Sequence, residues 1–129
     1  MFVKNRIKYP DVALAQSMWE TGHFKSNVFK SNFNLFGMKK PEKRPTTATG
    51  ENRGHAQYKN WVDSVKDYKM WQDSQKKLSL LPKNQYIDNL NLMYCIPPPK
   101  GDCNIKDYGK MINGLITKAN SIISKSKNV

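Results

Sequence analysis

PDVALAQSMWETGHFKSNVFKSNFNLFGMK, residues 10–39, combines a short apolar helix, one carboxylate at its end, and a loop rich in amides and aromatics. Pro10 suits the first turn of a helix, where the N–H it lacks would have no partner anyway. Asp11 beside it complements the positive end of the helix dipole. The apolar run Val12 to Ala15 carries the helix on to about Glu20, and Gly22 is a natural terminator. Lys25 to Phe36 reads as a short helix or turn followed by a loop.

Glu20 is the residue in this stretch with the clearest chemistry. The C-terminal end of a helix carries partial negative charge, which disfavours an ionised carboxylate there. Trp19 and Phe24, with Phe33 and Phe36 close in sequence, would add desolvation in the same direction. A carboxyl held roughly two pH units above its usual range keeps a useful protonated fraction near neutrality, at about 1.4 kcal/mol per unit. A general acid for glycoside cleavage needs that property. The competing reading is a solvated glutamate paired with Lys25 or Lys39. Gln16 lies one turn before Glu20 on the same helix face, so it either reaches the same ligand or is an ordinary exposed amide.

Outward from this stretch, 129 residues suffice for one domain, 1–129, with a single modest core. A hydrophobic fraction of 38% that includes three Trp, six Tyr and five Phe is globular rather than disordered. Lys and Arg outnumber Asp and Glu by 22 to 10, for a net charge of +12. That excess favours an anionic partner: nucleic acid, a membrane surface, or a bacterial wall carrying acidic polymers. The lysines are spread over every segment rather than gathered in a stripe, and no nucleic-acid reading motif appears, so nucleic acid is not the expected partner. No apolar run approaches the ~20 residues of a membrane span, and no classical signal peptide is evident; if the substrate lies outside the cytoplasm, the expectation is phage-borne, virion-associated or other non-classical delivery, or a leader already cut away. Cys95 and Cys103 flank a proline-rich loop that a disulfide would staple. Metal-ligand spacing, a phosphate-binding glycine loop and internal repeats are absent, so neither a metal nor a cofactor is expected.

The remainder reads as helices around one polar insertion. From Lys39 to Asn60 aliphatic residues nearly vanish, which predicts a surface excursion with a small hairpin around Thr46–Arg53 and a return strand at His55–Tyr58. Asn60 caps a helix with Asp63 in its first turn, whose inner face is Trp61, Val65, Tyr68 and Gln72, widened by Val62 and Met70. A shorter helix covers Asn84 to Met93, with Tyr86, Ile87, Leu90 and Met93 inward. The last begins at Asn104 and carries Ile105, Tyr108, Met111, Ile112, Leu115, Ile116, Ala119, Ile122 and Ile123 at spacings of three and four. The expected fold class is mainly α, a helical lobe with a small polar loop and hairpin lobe inserted at about 40–58, closing over an extended sugar chain.

The pattern Ala15-Gln16, Glu20-Thr21-Gly22, Ser26, then Asn34-Leu35-Phe36-Gly37-Met38-Lys39 resembles the N-acetylglucosaminidase family of peptidoglycan hydrolases, glycoside hydrolase family seventy-three. The resemblance continues through Pro45-Thr46-Thr47, Gly50-Glu51-Asn52-Arg53-Gly54-His55, Tyr58, Trp61, Ser64-Val65 and Asp67-Tyr68. It implies a lysozyme-like α+β fold and cleavage of the β-1,4 bond between N-acetylglucosamine and N-acetylmuramic acid in the bacterial wall. Glu20 matches the family's general acid. Glu51 is the best match for a second acid in the polar lobe, with Glu42 as fallback, and a substrate acetamido group could make that second carboxylate dispensable. The family's tyrosine near the cleft is matched by Tyr94, or by Tyr108, which the periodicity places in the core. Asn34, Phe36, His55 and Tyr58 are candidate substrate contacts. Two other classes compete: a lysozyme-like module of a virion or secretion assembly that has lost catalysis, and a nucleic-acid-binding protein.

Overall fold

The computed structural model describes residues 2–94, 96, 98–99 and 107–125, with backbone alone for 91–93. The elements in chain order are α1 (Pro10–Glu20), α2 (Asn27–Asn32), β1 (Gly50–Asn52), β2 (His55–Gln57), α3 (Trp61–Ser74), α4 (Lys76–Ser79), α5 (Lys83–Met93) and α6 (Tyr108–Lys125). The fold is mainly helical with a two-stranded antiparallel sheet, the lysozyme-like α+β class.

α1 spans the residues expected of it and is buried on every side from residue 11 to residue 18. A helix buried on every side belongs inside a fold, and α1 is one despite carrying Asp11, Gln16 and Ser17. α6 runs antiparallel along it: Asn120 reaches Asp11 at one end, and Tyr108 reaches Gln16 and Glu20 at the other. Burying Asp11 is tolerable because its carboxylate pairs with Lys83 and caps the Val12 N–H at 2.9 Å. Gly109 lets α6 approach α5, since a Cβ there would lie 2.9 Å from the Ile87 carbonyl oxygen. Tyr108, Ile112 and Ala119 of the expected stripe are buried, and Met111, Leu115, Ile116, Ile122 and Ile123 pack partly against the core. The Phe36 and Tyr68 rings stack with centroids 4.2 Å apart at its centre.

The polar insertion is organised by side-chain amides rather than by apolar contacts. β1 pairs with β2 in the register Glu51 opposite Ala56, around a two-residue turn in which Arg53 and Gly54 both have positive φ, 58° and 74°. Such a turn matches the twist of the flanking strands. Asn32 at the end of α2 donates to the Asn52 carbonyl at 2.7 Å, and its own carbonyl accepts from the Tyr58 N–H at 2.9 Å. Asn34 donates to the Met38 and Ala56 carbonyls at 2.9 and 3.0 Å, while its Oδ1 accepts from the Phe36 and Met38 N–H groups, both at 3.2 Å. The loop from Asn34 to Met38 is therefore wrapped around one amide.

Asn60 caps α3 as expected, its Oδ1 accepting from the Asp63 N–H at 2.8 Å. Two assignments on this helix are corrected. Trp61 and Val62 are exposed, 42% and 38%, rather than part of the inner face, which Ser64, Val65, Tyr68, Trp71 and Gln72 occupy instead. The first turn of α3 projects beyond the core, where Trp61 stacks on Phe29 at 5.5 Å and meets the edge of Phe33 at 5.3 Å. α4 is a single turn that the sequence reading did not anticipate, and α5 starts one residue earlier than expected. Tyr86, Ile87 and Leu90 of α5 point inward. The Cys95–Cys103 bridge, the Asn104 cap, Ile105 and the Met93 side chain lie outside the described residues.

Candidate active site

Glu20 is the last residue of α1, half-buried where that helix stops. Several features end the helix there. Thr21 Oγ1 donates to the Ser17 carbonyl at 2.6 Å and accepts from the Phe24 N–H at 2.8 Å. Gly22, His23 and Phe24 then follow one another with φ of 57°, 59° and 67°. Three left-handed residues in succession turn the chain sharply away, which leaves the Glu20 side chain at the rim of the packed core.

Two groups from distant parts of the chain close around its carboxylate. The Tyr108 hydroxyl, from the first turn of α6, donates to Oε1 at 3.4 Å. Gly37 lies on the other side with φ of 63°, and a Cβ built on it would fall 2.9 Å from Oε2 and 3.5 Å from the Glu20 Cβ. Only glycine allows that backbone conformation and that approach together. Tyr94 completes the cluster: its hydroxyl donates to the Phe36 carbonyl at 2.5 Å, and its ring stacks against Tyr108 at 6.2 Å. Burial pushes the Tyr94 and Tyr108 hydroxyls well above the ordinary phenol range, and the charge of Glu20 adds to both. Both phenols therefore stay protonated at physiological pH and act as donors.

The other candidates divide sharply. Four of the expected substrate contacts are closed off from solvent in this structure. Gln16 and Phe36 have no exposed surface, Asn34 has 1% and Tyr58 2%. Their polar atoms already have protein partners: Gln16 sits between the Tyr68 and Tyr108 hydroxyls, Asn34 holds its own loop together, and the Tyr58 hydroxyl donates to Asp67 Oδ2 at 2.5 Å. Asp67 raises the Tyr58 hydroxyl further, after burial itself. Glu51 and Glu42 are exposed on the polar insertion, Glu51 on β1 opposite Ala56. His55 is half-buried on β2 and hydrogen-bonds the Arg53 carbonyl through Nδ1 at 2.9 Å. Tyr108 is as deeply buried as its place on the apolar stripe implies, yet its hydroxyl also faces Glu20. Periodicity showed the first property and had no means of showing the second. The resemblance favoured Tyr94 as the tyrosine of the cleft and left Tyr108 to the core; in the structure the Tyr108 hydroxyl reaches Glu20, while the Tyr94 hydroxyl goes to the Phe36 carbonyl.

Among the described residues, no three His, Cys, Asp or Glu side chains come together as a metal-binding group, and no helix is long and apolar enough to cross a membrane. Neither the curated proteins nor the solved structures compared with the chain contain a significant match. A family model does match: glucosaminidase, described as mannosyl-glycoprotein endo-beta-N-acetylglucosaminidase, over residues 4–121. That span takes in α1 with Glu20, the Asn34–Met38 loop, the hairpin and most of α6, so the chain belongs to the glucosaminidase family of peptidoglycan hydrolases.

Proposed function

We propose that this protein is an endo-acting N-acetylglucosaminidase that cleaves the β-1,4 bond between N-acetylglucosamine and N-acetylmuramic acid, with Glu20 as general acid. The observation that carries the reading is the seat of Glu20: a carboxyl at a helix C-terminus, with a neutral tyrosine donor on one oxygen and bare glycine backbone against the other. In this reading the Glu20 proton passes to the leaving glycosidic oxygen as the bond to the anomeric carbon breaks. The Tyr108 hydroxyl then stabilises the carboxylate left behind. Glu51, exposed on the hairpin, is the proposed base for the attacking water, and the substrate's own acetamido group is the alternative nucleophile. The +12 charge fits a protein that works among acidic wall polymers, as a phage lysin or virion-associated lysin would.

Purified murein is the test substrate. Glu20→Gln should lower fragment release roughly 10²- to 10⁴-fold without changing the melting temperature. Mass spectrometry of the parent's products should show reducing N-acetylglucosamine ends. Equal release by both proteins, or none by the parent, would remove the enzymatic reading and leave the non-catalytic wall or virion module. Reducing N-acetylmuramic ends would replace the proposed bond with its neighbour.

A further inference from the structure

Behind Glu20 lies a continuous line of buried hydrogen bonds that the proposed chemistry does not use. It begins at Lys8, whose backbone N–H donates to Gln72 Oε1 at 2.9 Å. A backbone N–H can only donate, so this contact decides which end of the Gln72 amide is oxygen. Gln72 Nε2 must then donate, and it does so to the Lys8 carbonyl at 2.8 Å and to the Tyr86 hydroxyl at 2.9 Å. The Tyr86 and Tyr68 hydroxyls are 3.4 Å apart. The single Tyr68 proton goes to Gln16 Oε1, so the Tyr86 proton is the one shared between the two phenols. Gln16 Nε2 donates in turn to the Tyr108 oxygen at 3.3 Å, and the Tyr108 proton is left pointing at Glu20 Oε1. Apart from the proton that Gln72 gives back to the Lys8 carbonyl, every proton in the line points the same way, toward Glu20. Tyr68, Tyr86, Tyr108 and Gln16 have no exposed surface and Gln72 has 1%, so water does not compete for the links from Gln72 to Tyr108.

We propose that Gln16, Tyr68, Tyr86 and Gln72 are positioning residues that act through Tyr108, a polarised relay that fixes the Tyr108 hydroxyl as a donor to Glu20 and so sets the pH at which Glu20 holds its proton. Burial raises the hydroxyls of Tyr68, Tyr86 and Tyr108, so the phenols of the relay keep their protons throughout the working range. Each donor polarises the next, and a charged acceptor at the end of the line gains from all of them. Among the described residues, the groups that bear on Glu20 include Tyr108 from α6, Tyr94 just after α5 and the backbone of Gly37, with Lys39 two residues further along that loop. The inference rests on the general-acid reading for its meaning in catalysis, but not for its test.

The test is a double-mutant cycle read on the Glu20 carboxyl itself by carbon NMR titration of the full chain. Tyr68→Phe removes one hydroxyl that does not touch Glu20 and keeps the ring that stacks on Phe36. Gln16→Met removes the amide at nearly constant volume. Each should shift the Glu20 midpoint to higher pH, because a weaker Tyr108 donor favours the carboxylate less. The alkaline limb of kcat/KM on soluble glycan should move with it. In a Tyr108→Phe background both shifts should vanish. A Glu20 midpoint that stays put in the single variants, or that moves equally with and without the Tyr108 hydroxyl, overturns the relay. Should Gln16→Met not fold, Tyr68→Phe alone completes the cycle. Failure of the general-acid reading would appear separately, as full activity of Glu20→Gln, and would leave the NMR cycle interpretable.

Discussion

The α1–α6 pair and the polar insertion from residue 39 to residue 60 are stabilised by different physics. In α1 eight successive residues are buried, and α6 covers them with an apolar stripe. In the insertion only Ala56 and Tyr58 are buried. What holds that segment is a set of directed polar contacts: Asn32 and Asn34 from below, and Asp67 of α3 from the side. Asp67 has no exposed surface and accepts from Arg44 at 2.6 Å, Thr46 at 2.8 Å and Tyr58 at 2.5 Å. A buried carboxylate so furnished is specific rather than strongly stabilising, since desolvation offsets much of the Coulomb gain. The difference suits the proposed glycosidase: the proposed acid is mounted on the part held by volume-filling contacts, and the segment proposed to meet the glycan is pinned at a few points. The chain enters the insertion through the Asn34–Met38 loop, which also brings Gly37 against Glu20.

The comparison sharpens at the core. Phe36→Ala removes a ring with no exposed surface that touches Tyr68 and Phe2. It should cost about 3–5 kcal/mol and lower the melting temperature of the whole chain in calorimetry. Asp67→Asn should cost less, about 2 kcal/mol, because the Arg44 side chain remains 16% exposed and water can take over part of its charge. Hydrogen exchange should then speed up at Thr46–Ala48 and the hairpin while α1 and α6 stay protected. Equal loss of protection in α1 would mean the two regions are one cooperative unit, and the contrast drawn above would fall. A gentler difference appears with pH. Tyr58, Tyr68, Tyr86, Tyr94 and Tyr108 all have hydroxyls raised by burial, so the unfolded chain, with phenols near their usual value of about 10, loses its protons first. Their contribution to stability is complete below about pH 10 and declines as pH rises past it. Tyrosinate absorbance should therefore appear together with unfolding as the solution is made alkaline. Early, non-cooperative ionisation of several phenols in folded protein would contradict the burial described.

Much of the scaffold was legible from local chemistry. Pro10 and Gly22 bracket α1, Asn60 and Asp63 start α3, Arg53-Gly54 turns the hairpin, and a stripe at spacings of three and four marks α6. Each of these signals acts within a few residues, through backbone dihedrals or through helix faces. Glu20 was also legible as a candidate, since its place at a helix end is itself a local fact. Trp61 was misread because an aromatic at helical spacing looks the same whether the core or a pair of half-buried phenylalanines receives it.

The chain alone determined most of the helices and which single carboxylate closes the first of them, because those properties depend on caps, propensity and periodicity over short spans; the single turn of α4 and the start of α5 were not among them. Only the tertiary structure decided that Gln16, Asn34, Phe36 and Tyr58 face inward and that Tyr108 meets Glu20. An amide or a phenol can be satisfied equally well by water, by sugar or by protein. Which of these it receives depends on partners here 9 to 92 residues away, and only packing brings them within hydrogen-bond reach.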